Sequence, residues 1–318
     1  MNQINTELQK IQERSSKALK RREFITSYGA LIVFAILLLI NICITPNFIS
    51  ISTVWNIIVQ STPCLLVAMG MTFVIAAAGI DISVGSTMSL CATVTTLMMM
   101  NGTPAIPSVL VGLFIGLVIG AIVGSLTIKF QIQPMVLTLA MMIILRSVSR
   151  IICTVRSVPV THDGFISISL AKFGEIPIQL IYVTVVVGIF YIIAEYTVFG
   201  KSIEAIGNNS MAAKLSGIRS DTMAIAAYVI LGVLSAVAAM LQVARVMNCN
   251  PSTFGSEMEM DAIAAVVIGG TSMAGGKPRV LGSMIGCFIM TLITMTVNMN
   301  GIDVSYSMIL KAIIIVVA

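Results

Sequence analysis

Long apolar runs separated by short polar stretches dominate the chain from residue 25 onward. A run of about 20 apolar residues is long enough to cross the roughly 30 Å hydrocarbon core of a bilayer as a helix. We therefore predict an all-α, polytopic membrane helical bundle. Its ten predicted spans are residues 25–44, 55–79, 84–100, 106–128, 135–152, 178–198, 223–245, 260–270, 280–297 and 304–318.

The run at residues 260–270 is too short to cross a bilayer as a helix, because it provides only about 16 Å of helix at 1.5 Å per residue. We expect a half-helix, a re-entrant element or a span completed by unwound backbone. Residues 1–24 carry six Lys or Arg and three Glu, which predicts an amphipathic helix on the membrane surface. Residues 25–318 form the transmembrane domain.

Composition agrees with this pattern and excludes several functions. The 318 residues are 58% hydrophobic and 10% charged, with a mean hydropathy of +1.04. Little chain remains for a catalytic or nucleotide-binding domain, so such activities must come from partners. The single His162 and six scattered cysteines show no metal or catalytic spacing, and the net charge of +5 is not arranged as a nucleic-acid patch. We expect no enzyme, no metal and no nucleic-acid partner.

Basic residues concentrate on one side of the predicted topology. With the N-terminus in the cytoplasm, Arg156 and Lys172 fall outside, and the C-terminus also falls in the cytoplasm. The basic residues predicted inside are Lys10, Arg14, Lys17, Lys20, Arg21, Arg22, Lys129, Lys201, Lys214, Arg219, Lys277 and Arg279. Four more lie within or at the ends of spans, and we expect them to snorkel or to pair inside the bundle: Arg146, Arg150, Arg245 and Lys311.

The segment from Gly79 to Ser86 joins two spans and combines glycines with polar residues. A broken helix is the expected structure. Asp81, Ser83 and Ser86 then have two possible roles. They line a translocation pathway, or Asp81 or Ser83 merely caps the next helix.

Glycines also recur at every fourth position of the fourth span, at Gly112, Gly116, Gly120 and Gly124. This spacing places them on one helical stripe and predicts close helix packing. Further along, Gly269 and Gly270 end the short apolar run at residues 260–270, and Ser272 follows it. Such a sequence can unwind, which suits a translocation path or a pivot.

The longest predicted cytoplasmic loop, residues 199–221, contains a short helix in its pattern. Asn209 or Ser210 can cap a helix of residues 211–216, and Gly217 suits the left-handed position that ends it. Met211 and Leu215 stand one turn apart beside Ala212 and Ala213, an exposed surface that would fit a groove on another protein. Packing of the loop on its own bundle is the alternative.

With these motifs in hand, the chain resembles the membrane permease subunit of bacterial ATP-binding-cassette importers for monosaccharides, of the ribose and galactose type. The likeness runs almost end to end. It is carried by residues 46–50, 70–75, 79–86, 133–134, 138–140, 206–218 and 261–276. One departure is Gly275-Gly-Lys-Pro278, where family members usually have a Gly-Gly-Arg-Gly-type turn.

The resemblance implies a sugar importer's permease in the bacterial inner membrane, embedded in lipid. It also implies a second copy of the chain, a cytoplasmic ATPase that binds ATP and Mg²⁺, and a periplasmic sugar-binding protein, with no cofactor in this chain. The sugar would cross at the homodimer interface. The residues that match the family's coupling helix, which seats in the ATPase, are Glu204, Gly207, Asn208, Ala213 and Gly217, and Asp81, Ser83, Gly85 and Ser86 match a further signature.

An ion-coupled secondary transporter of a small polar solute is the alternative, since it too has about ten spans and broken helices. Such a carrier needs acidic side chains within the membrane, and Asp81 is the main candidate.

Overall fold

The computed structural model describes residues 29–153, 155 and 157–317, so the predicted N-terminal amphipathic helix lies outside the described residues. The helices in chain order are α1 Gly29–Ile44, α2 Ile51–Ala76, α3 Val84–Met100, α4 Ala105–Lys129, α5 Pro134–Ile152, α6 Asp163–Leu170, α7 Gln179–Tyr196, α8 Val198–Asn208, α9 Ser210–Leu215, α10 Ser220–Val246, α11 Met258–Ile268, α12 Val280–Met299 and α13 Val304–Val317. The strands are β1 Val158–Pro159, β2 Lys172–Phe173, β3 Ile176–Pro177 and β4 Asn248–Cys249.

A helix occupies each of the ten predicted spans, and the all-α polytopic fold is confirmed. Six helices are long and apolar enough to cross a membrane, namely α2, α4, α5, α7, α10 and α12. Helices α1, α3 and α13 are shorter and apolar. Three further helices, α6, α8 and α9, lie in connections.

The two ends of the bundle carry different structures. Helices α8 and α9 lie at one end, which we call the α8–α9 end. At the opposite end β1 pairs antiparallel with β4, which ties the segment after α5 to the segment after α10. Strands β2 and β3 form a second small hairpin.

Helices α2 and α10 form much of the core, and α4 packs closely on α10. A Cβ atom placed at Gly116 would lie 2.5 Å from the carbonyl oxygen of Gly232 and 2.8 Å from the Ala236 Cβ. One at Gly120 would lie 2.5 Å from the carbonyl oxygen of Tyr228. The stripe continues with Gly112 against Met240 and Gly124 against Tyr228. The four glycines therefore allow α4 and α10 to approach at backbone distance.

The short run at residues 260–270 lies mostly in α11, and irregular backbone precedes it. Residues 251–257 form successive turns between β4 and α11. These turns run along α3, because Ser89 Oγ donates to the carbonyl oxygen of Pro251 at 2.9 Å and Gly255 packs on Gly85. The run thus forms a helix of 11 residues with irregular backbone before and after it.

We predict that Gly116→Ala destabilises the protein by about 1–3 kcal/mol, because the added methyl group must displace Gly232 or Ala236. Thermal unfolding of the purified protein in detergent measures this change. Gly188→Ala in α7 is the matched control, because a Cβ at Gly188 meets no described atom within 4 Å. Equal unfolding temperatures for the two variants would contradict the packing assignment.

Candidate functional site

The break between α2 and α3 is a satisfied polar turn. Asp81 Oδ1 accepts hydrogen bonds from the backbone N–H of Ser83 at 2.8 Å and from Ser83 Oγ at 2.7 Å. Asp81 is 5% exposed, and Ser83 and Ser86 are fully buried. Ser83 is the N-cap residue of α3 but makes no side-chain capping bond. The three side chains therefore face the interior of the bundle.

Residues of other helices close over this turn. The Tyr228 hydroxyl of α10 would lie 2.5 Å from a Cβ atom at Gly79, so only glycine fits there. Ser86 Oγ and the Tyr228 hydroxyl find no hydrogen-bond partner among the described residues. The turn thus has little room for a solute in this conformation.

The first turn of α11 carries two acidic residues that enter the bundle. Asp261 forms an ion pair with Lys311 of α13, with 2.8 Å between Lys311 Nζ and Asp261 Oδ1. Glu259 lies against Gly85 at the start of α3. Charges at this depth are costly in hydrocarbon unless they are paired or reach water.

The basic residues within the predicted spans differ in the groups that they contact. Lys311 pairs inside the bundle, as expected. Arg146 Nη1 of α5 donates to the carbonyl oxygens of Pro251 and Phe254, at 3.3 Å and 2.5 Å. Arg245 Nη1 donates to the carbonyl oxygen of Val59 at 3.3 Å, whereas Arg150 is exposed. Arg146 therefore holds the unwound backbone before α11.

Local sequence determines helix α9. Asn209 Oδ1 accepts from the backbone N–H of Ala212 at 2.9 Å and caps the helix, and Gly217 adopts a φ of 84° after it. Met211 is 69% exposed and Leu215 is 83% exposed. The expectation that Ala213 is exposed beside them is wrong, because Ala213 is 4% exposed and turns toward the bundle.

The remaining predicted residues of this loop lie around α8. Glu204 is partly buried, with its carboxylate 3.6 Å from Lys201 Nζ, and Asn208 is exposed at the end of the helix. Lys201 also pairs with Glu195, whose carboxylate lies 2.9 Å from Lys277 Nζ. These pairs connect α7, α8 and the segment between α11 and α12.

Gly207 belongs to a three-way backbone junction at the α8–α9 end. The N–H of Gly276 donates to the carbonyl oxygen of Ala76 at 2.9 Å, and Gly207 packs against both residues. A Cβ atom at Gly275 would lie 2.6 Å from the carbonyl oxygen of Gly207. The junction (Ala76, Gly207, Gly275 and Gly276) therefore joins α8 to the end of α2 and to the turn before α12.

The glycine-rich segment after α11 is closely packed rather than open. Gly269 packs on Gly282 of α12 at backbone distance, and Gly270 has a φ of 89°. Ser272 is exposed near the junction. Of the predicted pathway residues Gly269, Gly270 and Ser272, Gly269 makes a helix contact and Ser272 is exposed.

Sequence reasoning missed the grouping of Glu259, Asp261 and Arg146 around α11. The available signal was their position inside or beside apolar runs, where charge is expensive. Within the described residues, no three His, Cys, Asp or Glu side chains could hold a metal ion.

Comparisons with known proteins agree with this architecture. A family model described as branched-chain amino acid transport system / permease component matches residues 53–318. The chain is 35% identical to the ribose import permease protein RbsC of Haemophilus influenzae, over 93% of this chain and 92% of that protein. It is 33% identical to RbsC of Bacillus subtilis, over 91% and 90% of the two chains. It is 30% identical to the galactofuranose transporter permease protein YtfT of Escherichia coli, over 93% and 89%. No solved structure matches the chain.

We predict that Lys311→Met lowers the free energy of unfolding by about 3–5 kcal/mol, because it leaves the Asp261 carboxylate unpaired inside the bundle. The double variant Lys311→Met/Asp261→Leu should recover most of this loss. Thermal or denaturant unfolding of both single variants and the double variant measures the coupling. Additive effects of the two substitutions would show that the ion pair contributes nothing.

Proposed function

The chain belongs to the family of branched-chain amino acid transport system / permease components, and on that premise we propose that it is the membrane permease subunit of an ATP-driven monosaccharide importer. It is a multi-pass membrane protein and not an enzyme, since its homologues are transport permeases. The proposal has three further parts: a sugar substrate, a pathway between two copies of the chain, and coupling to a cytoplasmic ATPase.

A sugar substrate is supported by the relatives of this chain. They include import permeases for ribose, galactofuranose and fructose. The family description instead mentions amino acids. The relatives carry more weight here, because each aligns with about nine tenths of this chain.

The proposed pathway is supported by a strip of exposed polar residues on α5 and on the unwound segment before α11. Pro251 contacts Ser89 of α3, and Gly255 packs on Gly85 of the same helix. At 1.5 Å per residue, these contacts lie about 16 Å and 22 Å along the helix from Met100, its last residue. The strip comprises the exposed residues Ser147 and Arg150 of α5 and Ser252, Thr253, Ser256 and Glu257 of the unwound segment.

Lipid cannot cover this strip, because hydrocarbon offers no partner to hydroxyls, charges or unwound backbone. Water or protein must do so. A second copy related by two-fold symmetry would place its own strip opposite and enclose a hydrated path between them. The strip therefore supports a homodimer with the pathway at its interface.

Coupling is supported by the exposed apolar face of α9. Met211 and Leu215 project from a capped helix outside the bundle, on a short element that a groove of another protein would stabilise. The junction then connects this element to α2 and to the turn before α12. A push on α9 would reach both segments through backbone contacts.

The charge distribution supports a cytoplasmic α8–α9 end. Lys129, Lys201, Lys214, Arg219 and Lys277 lie at or near this end, whereas Arg150, Lys172 and Arg245 lie at or toward the opposite one. In this orientation α9 meets an ATPase, which binds ATP and Mg²⁺, while the opposite end meets a periplasmic sugar-binding protein. The permease itself would need no cofactor.

We predict that Leu215→Glu and Met211→Glu each lower ATP hydrolysis stimulated by the loaded binding protein more than tenfold. Each substitution would bury a charge in the groove of the ATPase and remove an apolar contact. Because a central contact of this kind contributes about 2 kcal/mol or more to binding, its loss weakens the interaction more than tenfold. The assay uses the assembled transporter in proteoliposomes. Leu215→Met is the matched control and should retain stimulation. Normal stimulation of Leu215→Glu in an assembled complex would disprove the coupling assignment.

The importer and the ion-coupled carrier differ in what the isolated chain can do: only the carrier would accumulate a solute without the ATPase. Purified alone in vesicles with a proton or sodium gradient, the protein should accumulate no D-ribose, D-galactose or D-fructose. It has no means of energy input without the ATPase. Uphill uptake by the isolated chain would establish the carrier and overturn the importer.

A further inference from the structure

We propose that the unwound segment before α11 is a sugar-contact site, in which Ser252, Thr253, Ser256 and Glu257 bind the hydroxyl groups of the passing monosaccharide. This inference rests on the proposed function and names residues for its substrate. The proposed site differs from the pathway residues expected from the sequence, Asp81, Ser83 and Ser86, which are buried.

The backbone of this segment separates an inner face from an outer face. Pro251, Phe254 and Gly255 are buried, whereas the four contact residues are exposed. The inner face is held by hydrogen bonds to the carbonyl oxygens of Pro251 and Phe254 and by packing of Gly255. Ser89 and Arg146 donate to its carbonyl oxygens, and a Cβ atom at Gly255 would lie 2.6 Å from the carbonyl oxygen of Gly85. A pinned backbone presents the outer side chains in a defined geometry.

The outer side chains are free to bind a ligand. The side-chain hydroxyls of Ser252, Thr253 and Ser256 make no hydrogen bond in the described part of the chain. Backbone groups fill the acceptors of Asn250 instead: the N–H of Ser252 donates to Asn250 Oδ1, and the N–H of Thr253 donates to the Asn250 carbonyl oxygen. The local turn is thus satisfied without the hydroxyls.

The chemistry of these groups matches a polyol better than an aliphatic amino acid. A hydroxyl both donates and accepts, and a carboxylate accepts from about four directions, so together they can pair with adjacent sugar hydroxyls. An aliphatic side chain would need an apolar pocket, whereas the exposed face of residues 252–257 is polar. A few exchangeable hydrogen bonds also allow release, which transport requires.

The backbone of Glu257 provides a separate indication of function. Glu257 has a φ of 68°, in the left-handed region where glycine is favoured. Strain of this kind persists where the side chain or the geometry is needed. The observation motivates a variant that is relaxed and inactive, Glu257→Gly, which removes the carboxylate without strain.

Transport by the assembled complex of permease, ATPase and binding protein provides the first test. The probes are D-ribose, D-galactose, D-fructose and L-leucine. We expect Thr253→Val, Ser256→Ala and Glu257→Gln each to lower uptake of the transported sugar about three- to tenfold. Thr184→Val is the matched control, because the Thr184 hydroxyl bonds its own helix at Leu180 and is exposed on α7.

Glu257→Gly should unfold at the same temperature as the parent or higher, yet lose sugar uptake. Uptake at the parental rate would overturn the contact site, while leaving the importer intact, if all four variants of the segment showed it: Thr253→Val, Ser256→Ala, Glu257→Gln and Glu257→Gly. Import of L-leucine but of no sugar by the parent would instead refute the proposed function.

Cysteine labelling tests the location independently of transport. In a Cys43→Ser background the five remaining native cysteines are buried. Ser256→Cys should react with a membrane-impermeant methanethiosulfonate reagent in the assembled complex. Phe114→Cys, on the exposed apolar face of α4, should not react. Equal resistance of the two cysteines would show that no water reaches the segment, and would overturn the proposal.

Discussion

One constraint organises this protein: a polar group at the depth of the hydrocarbon core must find protein or water. The chain breaks its helices twice, after α2 and before α11, and the segments beside the two breaks meet where Gly85 packs on Gly255. The first break is closed, because Asp81 satisfies Ser83 within the bundle. The second is open, because Arg146 satisfies the inner carbonyl oxygens and leaves the outer hydroxyls exposed.

Both breaks connect to the same point at the α8–α9 end. Helix α2 ends at its junction residue Ala76, and the chain continues from there into the Asp81 turn. Helix α11 begins after the open segment and leads to the turn that contains Gly275 and Gly276. Gly207 touches both, and backbone-to-backbone contact leaves no flexible side chain to absorb a displacement. A movement of α8 and α9 would therefore reach both breaks together.

The sequence could predict what is local and not what is brought together by the fold. Hydropathy predicted a run at each position where the structure has an apolar helix, and the Asn209 cap and Gly217 turn follow from residue types alone. The pairing of Lys311 with Asp261 joins residues 50 positions apart, so no local pattern contains it. Helix α9 has only six residues, too few for a pattern to show that Ala213 turns inward.

The acidic residues inside the bundle bear on the source of energy for transport. An ion-driven carrier must expose a carboxylate to its ion and release it within each cycle. Here Asp261 is neutralised by Lys311, and Asp81 is held by two bonds from Ser83. Glu259 lies against Gly85 at the start of α3, and its buried Oε2 atom has no hydrogen-bond partner among the described residues. Because Asp261 and Asp81 have structural partners, they are better suited to positioning α3 and α11 than to binding a driving ion. This arrangement favours the proposed importer over the ion-driven carrier.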